Sequence, residues 1–337
     1  IPLLSSLGVA CAKLSGRGLG MTGGTIDKLE SIKGFNCMLS EDKFKTQIKA
    51  INAAISAQTP NLVPADGKIY ALRDVTATVD NMSLICASVV SKKIASGADI
   101  IVLDVKYGSG AFLKTKEEAL ELSDLMIKVG AKLNRKIDAV ISSMEQPLGN
   151  CIGNSLEVIE AIEFLKGNMA EDLYDVTLEI AARTLMLANL AFDFDEAKNL
   201  IDDAINSGRA LNKLKEIIEA QGGNKNVIDD YSLFDIGKNK YELKAQFGAY
   251  IKNIDALDIA HACKLLGAGR DKKSDKIDFG AGCVLNFKTG DKVSKDDILL
   301  TLFYSDNINK ERLNEAIEYA NKAYKFSVEK VDKIRVV

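Results

Sequence analysis

The sequence predicts an α/β fold, a mainly parallel sheet covered by helices, with an α+β region at the C-terminal end. Three observations point there. Strand-like and helix-like segments alternate as far as Gly237, the pattern of βα units on a parallel sheet. Residues 100–105, Ile-Ile-Val-Leu-Asp-Val, form a nearly continuous apolar run, as in a strand buried on both faces. Beyond Gly237 the texture changes to strands separated by turn residues such as Thr289-Gly290-Asp291.

In chain order, Gly8–Ser15 reads as a strand. A helix starts near Thr25, with Asp27 and Lys28 in its first turns. Phe35–Leu39 reads as a short strand. Ser40 then caps a helix, with Lys43 where a capping box would hold glutamate. Ala53–Thr59 is a strand entering a loop, and Pro64 to Gly97 keeps helical spacing for much of its length. Ala98–Phe112 is the clearest strand, followed by an amphipathic helix capped by Thr115 and a buried strand over Lys136–Met144. Helices are expected over Asn154–Gly167, from Glu171 to near Phe192, over Asp193–Gly208 and over Ala210–Gly223. Lys240–Ile254 and Ala281–Ser305 read as strand pairs, accompanied by helices over Ala256–Gly269 and Lys310–Tyr324.

Composition narrows the function. The 337 residues exceed one compact core and suit more than one domain. A net charge of -3 argues against a nucleic-acid surface, which needs a basic face. No apolar run approaches the ~18 residues of a membrane span. The chain opens on Ile-Pro-Leu-Leu with no basic leader, and its six cysteines form no C-x-x-C pair. Reduced, mostly buried thiols and a cytoplasmic location are therefore expected. The single histidine, His261, stands two residues before Cys263, a spacing that argues against zinc. Among Leu257, Ile259, Ala260 and Leu265 it reads as structural, leaving acid–base work to other side chains or to substrate.

Lys13–Glu30, KLSGRGLGMTGGTIDKLE, is the most informative stretch. Five glycines after a strand let backbone amides converge on a ligand, and the helix that follows adds positive potential. That makes a phosphate cradle bracketed by the hydroxyls of Ser15 and Thr25. A turn that only packs a helix tightly on a sheet would look similar, and the pattern is neither a P-loop nor a dinucleotide fingerprint. Farther on, Ser88 and Lys92 are four apart and share a helix face. Arg73 and Lys92 are either cations for an anionic ligand or ordinary surface charges, Arg73 beside Asp74 and Lys92 beside Lys93. Asp104 and Lys106 end the buried strand, where open α/β sheets bind ligands; a structural ion pair is the other reading.

Several blocks together resemble the thymidine and pyrimidine-nucleoside phosphorylase family: SGRGLGMTGGTIDKLE, YALRDVTATV, SVVSKKIASGADIIVLDVKYGSGAF, QPLGNCIGNSLEVIEAIE and LLGAGR. They keep the family's order and spacing from end to end of the chain. The resemblance implies phosphorolysis of a pyrimidine nucleoside to free base and (deoxy)ribose 1-phosphate, with inorganic phosphate as co-substrate. It implies phosphate binding by Ser15 and Thr25, pyrimidine binding by Arg73, Ser88 and Lys92, and a base pocket lined by Leu19, Tyr70 and Phe112. It also implies a potassium ion on the backbone carbonyls of Leu148 and Cys151 and the carboxylate of Glu160, oxygen ligands of the kind hard cations take. The domains it implies are residues 1–64 with 96–237 for the α/β phosphate-binding domain, 65–95 for part of a small helical, pyrimidine-binding domain, and 238–337 for the C-terminal α+β domain.

Two departures qualify that expectation. The family carries a Lys-His-Ser-Thr-Gly-Gly-Val-Gly loop upstream of its first glycine-rich strand, and this motif does not occur in the 337 residues. The expectation is then a missing N-terminal segment, a chain of low activity by itself, and a homodimer when the segment is present. The family's histidine in the glycine turn is Met21 here, and a thioether donates no hydrogen bond. Two alternatives stay open: a non-catalytic remnant that binds phosphate or a partner, and a phosphoribosyltransferase of related fold, which would need an acidic magnesium cluster beside the glycine turn.

Overall fold

The computed structural model describes residues 1–18, 23–58, 63–76, 78, 81–270, 272 and 275–337, leaving the side chains of Tyr70, Ala71, Asp74 and Val75 outside the description. The chain opens with α1 (Pro2–Ser6), β1 (Cys11–Ser15), α2 (Thr25–Glu30), α3 (Glu41–Ile51) and β2 (Ala53–Ala57). Ser40 caps α3 by accepting from the Lys43 amide. β1 and β2 pair in parallel, Cys11 opposite Ala53 and Ser15 opposite Ala57. Phe35–Leu39 does not form the expected strand. Its Cys37 carbonyl is taken by the Ala57 amide and the Ser56 hydroxyl, which hold it as a loop against the end of β2.

The helical stretch after Pro64 divides in two, α4 (Pro64–Val75) and α5 (Met82–Ala95), with Asn81 capping the second. β3 (Ile100–Tyr107), α6 (Lys116–Lys132) and β4 (Lys136–Ser143) follow. β3 and β4 pair in parallel from Ile100–Lys136 to Tyr107–Ser143. Thr115 and Glu118 close a full capping box on α6. Among the described residues the parallel sheet is thus present as two two-stranded pieces.

β5 (Cys151–Gly153) leads into four helices, α7 (Ser155–Leu165), α8 (Glu171–Leu187), α9 (Phe194–Asn206) and α10 (Arg209–Ala220). Their apolar faces bury Ile162, Leu185, Ile201, Ile217 and Ile218 against Ile26 and Ile32. α8 ends before Phe192 because Asn189 turns left-handed (φ 55) and the chain leaves the helix.

The C-terminal region holds β6 (Asn239–Lys244), β7 (Ala249–Ile254), α11 (Ala256–Leu265), β8 (Gly282–Leu285), β9 (Lys292–Val293), β10 (Ile298–Tyr304), α12 (Lys310–Ala323) and β11 (Tyr324–Ser327). One sheet runs β5-β8-β10-β6 and the other β11-β7-β9, all antiparallel. β6 and β7, expected as a pair, go to different sheets. Ala245 exchanges backbone hydrogen bonds with Asp296 and Asp297, which turns the chain away from a hairpin. β5, close in sequence to the parallel strands, belongs to the C-terminal sheet. His261 stacks on Tyr319, ring centroids 4.9 Å apart, in the structural role its apolar surroundings suggest.

The middle of β2's outer edge is closed by one buried amide. Gln221 accepts from the Ile55 amide (3.1 Å) and donates to the carbonyls of Ile55 and Asn36 (both 2.8 Å). Replacing it leaves both backbone groups of Ile55 unmet on that edge. Gln221→Ala is expected to lower stability by about 1–3 kcal/mol, read as a lower urea midpoint at unchanged m-value.

Candidate functional site

Arg73, on the last turn of α4, is 5% exposed, so it is no solvated surface charge. Its Nε donates to the Thr78 carbonyl (3.3 Å) and its Nη1 to the Leu84 carbonyl (3.4 Å), fixing the guanidinium across the α4–α5 junction. The side chain borders a cleft of about 400 Å³. Ile85, Ser88 and Val89 of α5 form one wall, β3 from Leu103 to Lys106 the other, and Phe112 stands at the edge with half its surface exposed. Asp104 and Lys106 are ion-paired at 2.8 Å, and both bond the Ser142 hydroxyl of β4. The cleft therefore combines apolar walls with one buried guanidinium, one hydroxyl and a neutralised acid–base pair.

Helical spacing brings Lys92 onto Ser88 as expected: its Nζ lies 2.7 Å from the Ser88 hydroxyl. The same ammonium pairs with Asp66 of α4 at 2.7 Å, locking α4 to α5. Lys92 does not border the Arg73 cleft. It borders a larger cavity of about 670 Å³, together with Lys13, Leu14 and Lys93. Burial lowers the Lys13 pKa, and burial with the nearby Lys13 and Lys92 charges pushes Lys93 down to about 8. Lys13 and Lys93 were not singled out in the sequence, because a lysine in a short strand and one in a lysine doublet both read as solvated. Through this cavity Lys92 faces β1 two residues before Ser15.

The glycine turn is organised from inside. Asp27, in the first turn of α2, is fully buried. It accepts from the Gly18 amide (2.7 Å), from Arg17 (3.1 Å) and from Arg270 (2.8 Å), while Arg17 also forks onto Glu30. Burial alone would raise the Asp27 pKa, but the bonds from Arg270, Gly18 and Arg17 outweigh it and hold the carboxyl below its usual range. The Gly18 amide, expected to face a ligand, is thus directed at Asp27. A Cβ on Gly24 would lie 2.1 Å from the Gly18 nitrogen, so the crossing tolerates glycine alone. Ser15 ends β1 and Thr25 begins α2, so the two hydroxyl residues bracket the turn. Leu19 and Met21 lie outside the described residues, and so does the Tyr70 side chain.

The loop before β5 is centred on two cationic or acidic groups. Glu160 of α7 accepts from the amides of Asn150 (2.5 Å) and Cys151 (3.3 Å), yet burial outweighs those bonds and raises its pKa. Gly149, at φ +68, passes so close that a Cβ would meet the carboxylate at 2.6 Å. The Lys288 ammonium bonds the carbonyls of Pro147 and Gly149 and pairs with Asp172 at 3.0 Å. The partly buried Glu160 carboxylate is an oxygen donor of the kind hard cations take, and the neighbouring carbonyls of Pro147 and Gly149 already serve an ammonium. Among the described residues no group of three or more His, Cys, Asp or Glu side chains could hold a metal. No described helix is long and apolar enough to cross a membrane.

Comparison with known proteins gives a consistent result along the chain. Residues 2–211 match the family model "Glycosyl transferase family, a/b domain", and residues 250–327 match "Pyrimidine nucleoside phosphorylase C-terminal domain". A pyrimidine-nucleoside phosphorylase of Staphylococcus epidermidis is 49% identical over 301 residues, 89% of this chain and 70% of the relative. One from Staphylococcus haemolyticus is 47% identical over 320 residues, 94% of this chain and 74% of the relative. One from Bacillus subtilis is 46% identical over 316 residues, 94% and 72% respectively.

The Asp27 network makes a pH prediction. Its folded-state pKa lies below the unfolded value near 4, so its contribution is present above about pH 4 and is lost as pH falls through the lower folded value. Asp27→Asn is expected to cost about 3 kcal/mol at neutral pH, because it removes the fully buried charge that the partly buried Arg270 pairs with. Urea midpoints from pH 6 to 3 should fall less steeply for the variant than for the wild type.

Proposed function

This chain belongs to the pyrimidine-nucleoside phosphorylase family, and on that premise we propose how its residues carry out phosphorolysis of a pyrimidine nucleoside to free base and pentose 1-phosphate. The chain is a pentosyltransferase with phosphate as its co-substrate. The observation that carries the assignment of roles is the buried Arg73 guanidinium in a cleft it shares with Ser88 and Phe112. In this reading the pyrimidine lies against α5 and the Phe112 edge, held by Arg73 and Ser88, with Lys92 acting from the neighbouring cavity through the Ser88 hydroxyl it bonds and Leu19 and Tyr70 completing the pocket. Phosphate is held at the glycine turn by Ser15 and Thr25.

The chemistry follows from that arrangement. A phosphate oxygen forms a bond to C1′ as the C1′–N1 bond breaks, and the bonding pair leaves with the base. Negative charge spreads over N1 and the pyrimidine carbonyl oxygens, where Arg73 and Lys92 stabilise it more strongly than they do the neutral nucleoside. His261 is engaged with Tyr319 in the C-terminal region, so it does not serve the base as an acid. The base leaves as an anion and takes its proton from water.

Finer features belong to the same proposal. Leu148, Cys151 and Glu160 hold a potassium ion, which would supply a fixed positive charge beside the partly buried Glu160. Residues 1–64 with 96–237 form the phosphate-binding domain, 65–95 the pyrimidine-binding helices and 238–337 the C-terminal domain. The protein works as a homodimer in the cytoplasm. The exposed Ile69 and Leu72 of α4 support an apolar contact there, and six unbridged cysteines support a reducing compartment. A phosphoribosyltransferase is disfavoured because the acids beside the glycine turn, Asp27 and Glu30, are engaged by Arg17 and Arg270.

Two measurements test these assignments. Uridine or thymidine should release its base only when phosphate is present, and Arg73→Ala should lower kcat/KM by about a hundredfold to a thousandfold. Base release without phosphate, or an Arg73→Ala enzyme of unchanged rate, refutes the assignment. For the cation, potassium chloride should raise the wild-type Tm at pH 7 beyond an equal concentration of choline chloride. Ionised Glu160 is costly above its raised pKa and a bound cation relieves that cost. Glu160→Gln should respond alike to both salts.

A further inference from the structure

The loop that follows β3 presents Phe112 to the Arg73 cleft. Ala111 and Leu113 on either side are buried, whereas Phe112 is 55% exposed, and all three border the cleft. The chain from Gly108 to Leu113 closes on itself. The Gly108 amide donates to the Leu113 carbonyl and the Ala111 amide to the Gly108 carbonyl, both at 3.0 Å. The segment after β4 grips the loop as well: the Met144 carbonyl accepts from the Gly110 amide (3.0 Å) and the Glu145 carboxylate from the Ser109 amide (3.2 Å). Such holding is needed, because Gly108 and Gly110 have more backbone freedom to lose than other residues.

Lys114 completes the ring from the helix side. Its amide donates to the Glu118 carboxylate (2.7 Å), the same group that closes the capping box of α6, so its backbone is fixed by the helix start. Its ammonium folds back over the loop and donates to the carbonyls of Ala111 (2.7 Å) and Ser109 (3.2 Å). A lysine exposed to solvent gives up rotamer freedom in that posture, and two charge-assisted hydrogen bonds offset the loss.

We propose that Lys114 is a positioning residue for the pyrimidine: it holds the 108–114 loop so that the Phe112 ring stands at the cleft before the base arrives. The proposal rests on the reading that the base lies against Phe112. An aromatic ring contributes most to binding a planar base when the loop that carries it need not be ordered in the same step. The bonds from Lys114 run to backbone carbonyls of the loop and to none of Arg73, Ser88, Ser15 or Thr25. Its loss therefore acts on the base through Phe112 and leaves the other assigned contacts in place.

The test uses the 337-residue chain and uracil as the probe. Uracil has no sugar to transfer, so equilibrium dialysis reads binding alone. Lys114→Met keeps a side chain of similar length without its donors, and Lys114→Arg restores a cation with donors. Phe112→Ala and Lys114→Met should each raise the uracil Kd about tenfold, the scale of one aromatic contact. Lys114→Arg should recover most of that loss. The double variant should bind no more weakly than Phe112→Ala, since residues acting as one unit are not additive. Amide hydrogen exchange over 108–113 should quicken about tenfold or more in Lys114→Met, with 100–107 and 116–132 unchanged. An unaltered Kd or unaltered loop exchange in Lys114→Met overturns the proposal, and so does a double variant that shows the product of the two single losses. If Phe112→Ala weakens binding and Lys114→Met does not, only the role of Lys114 fails. A wild type that binds no uracil, or a Phe112→Ala protein that binds it unchanged, refutes the pocket reading and this proposal with it.

Discussion

A single buried carboxylate holds the glycine turn of this molecule to its surroundings. Asp27 joins the glycine turn through the Gly18 amide, the start of α2 through its own backbone, and the loop after α11 through Arg270. These segments are distant in sequence, and apolar packing alone would not align them to a fraction of an ångström. A charged group with no solvent exposure must have its acceptor sites filled, so it dictates geometry more sharply than a side chain that water could serve. The tight crossing at Gly24 follows from the same bonds, because the turn is drawn onto Asp27 until backbone meets backbone. Ser15 and Thr25 stand at the two ends of the segment that Asp27 anchors.

The base side is built on a different balance. Arg73 is placed by carbonyls at the end of one helix and the start of the next, and Lys92 by a hydroxyl and a carboxylate on the two helices. Neither cation depends on substrate for its position. In the proposed reaction, charge that develops during bond breaking would meet dipoles and cations already oriented, and little reorganisation would be needed at that moment. The apolar walls around Arg73 strengthen the interaction by keeping the local dielectric low.

Much of this was legible in the residues, for reasons that can be traced. The four-residue spacing of Ser88 and Lys92 is a local property of any helix, and the structure shows the contact it implies. The strand at Ile100 and the cap at Thr115 are equally local. What escaped was set by distant partners. Phe35–Leu39 has the composition of a strand, but its Cys37 carbonyl is taken by the end of β2. β6 and β7 alternate like a hairpin, yet each finds a better neighbour far along the chain, β10 and β11 respectively. β5 is three residues long, too short for any periodicity to show. Lys13 and Lys93 carry no local sign of burial, and Arg270 stood in a recognised block with nothing to indicate that its partner lies 243 residues away.

The two cations also bear on what steadies the leaving base in the proposed reaction. An alkoxide leaving group would need a proton delivered as the bond breaks, and an imidazole would be the natural donor. A pyrimidine leaving group spreads its charge over a ring nitrogen and carbonyl oxygens, so fixed positive charge accomplishes the same end without a titrating group. A guanidinium stays protonated throughout the physiological range, and Lys92 is held in place by its ion pair with Asp66. Catalysis by permanent charge removes the need for a group poised near neutral pH, and it shifts the structural burden onto burial and positioning. The buried Arg73 and the Lys92–Ser88–Asp66 cluster show where that burden is met.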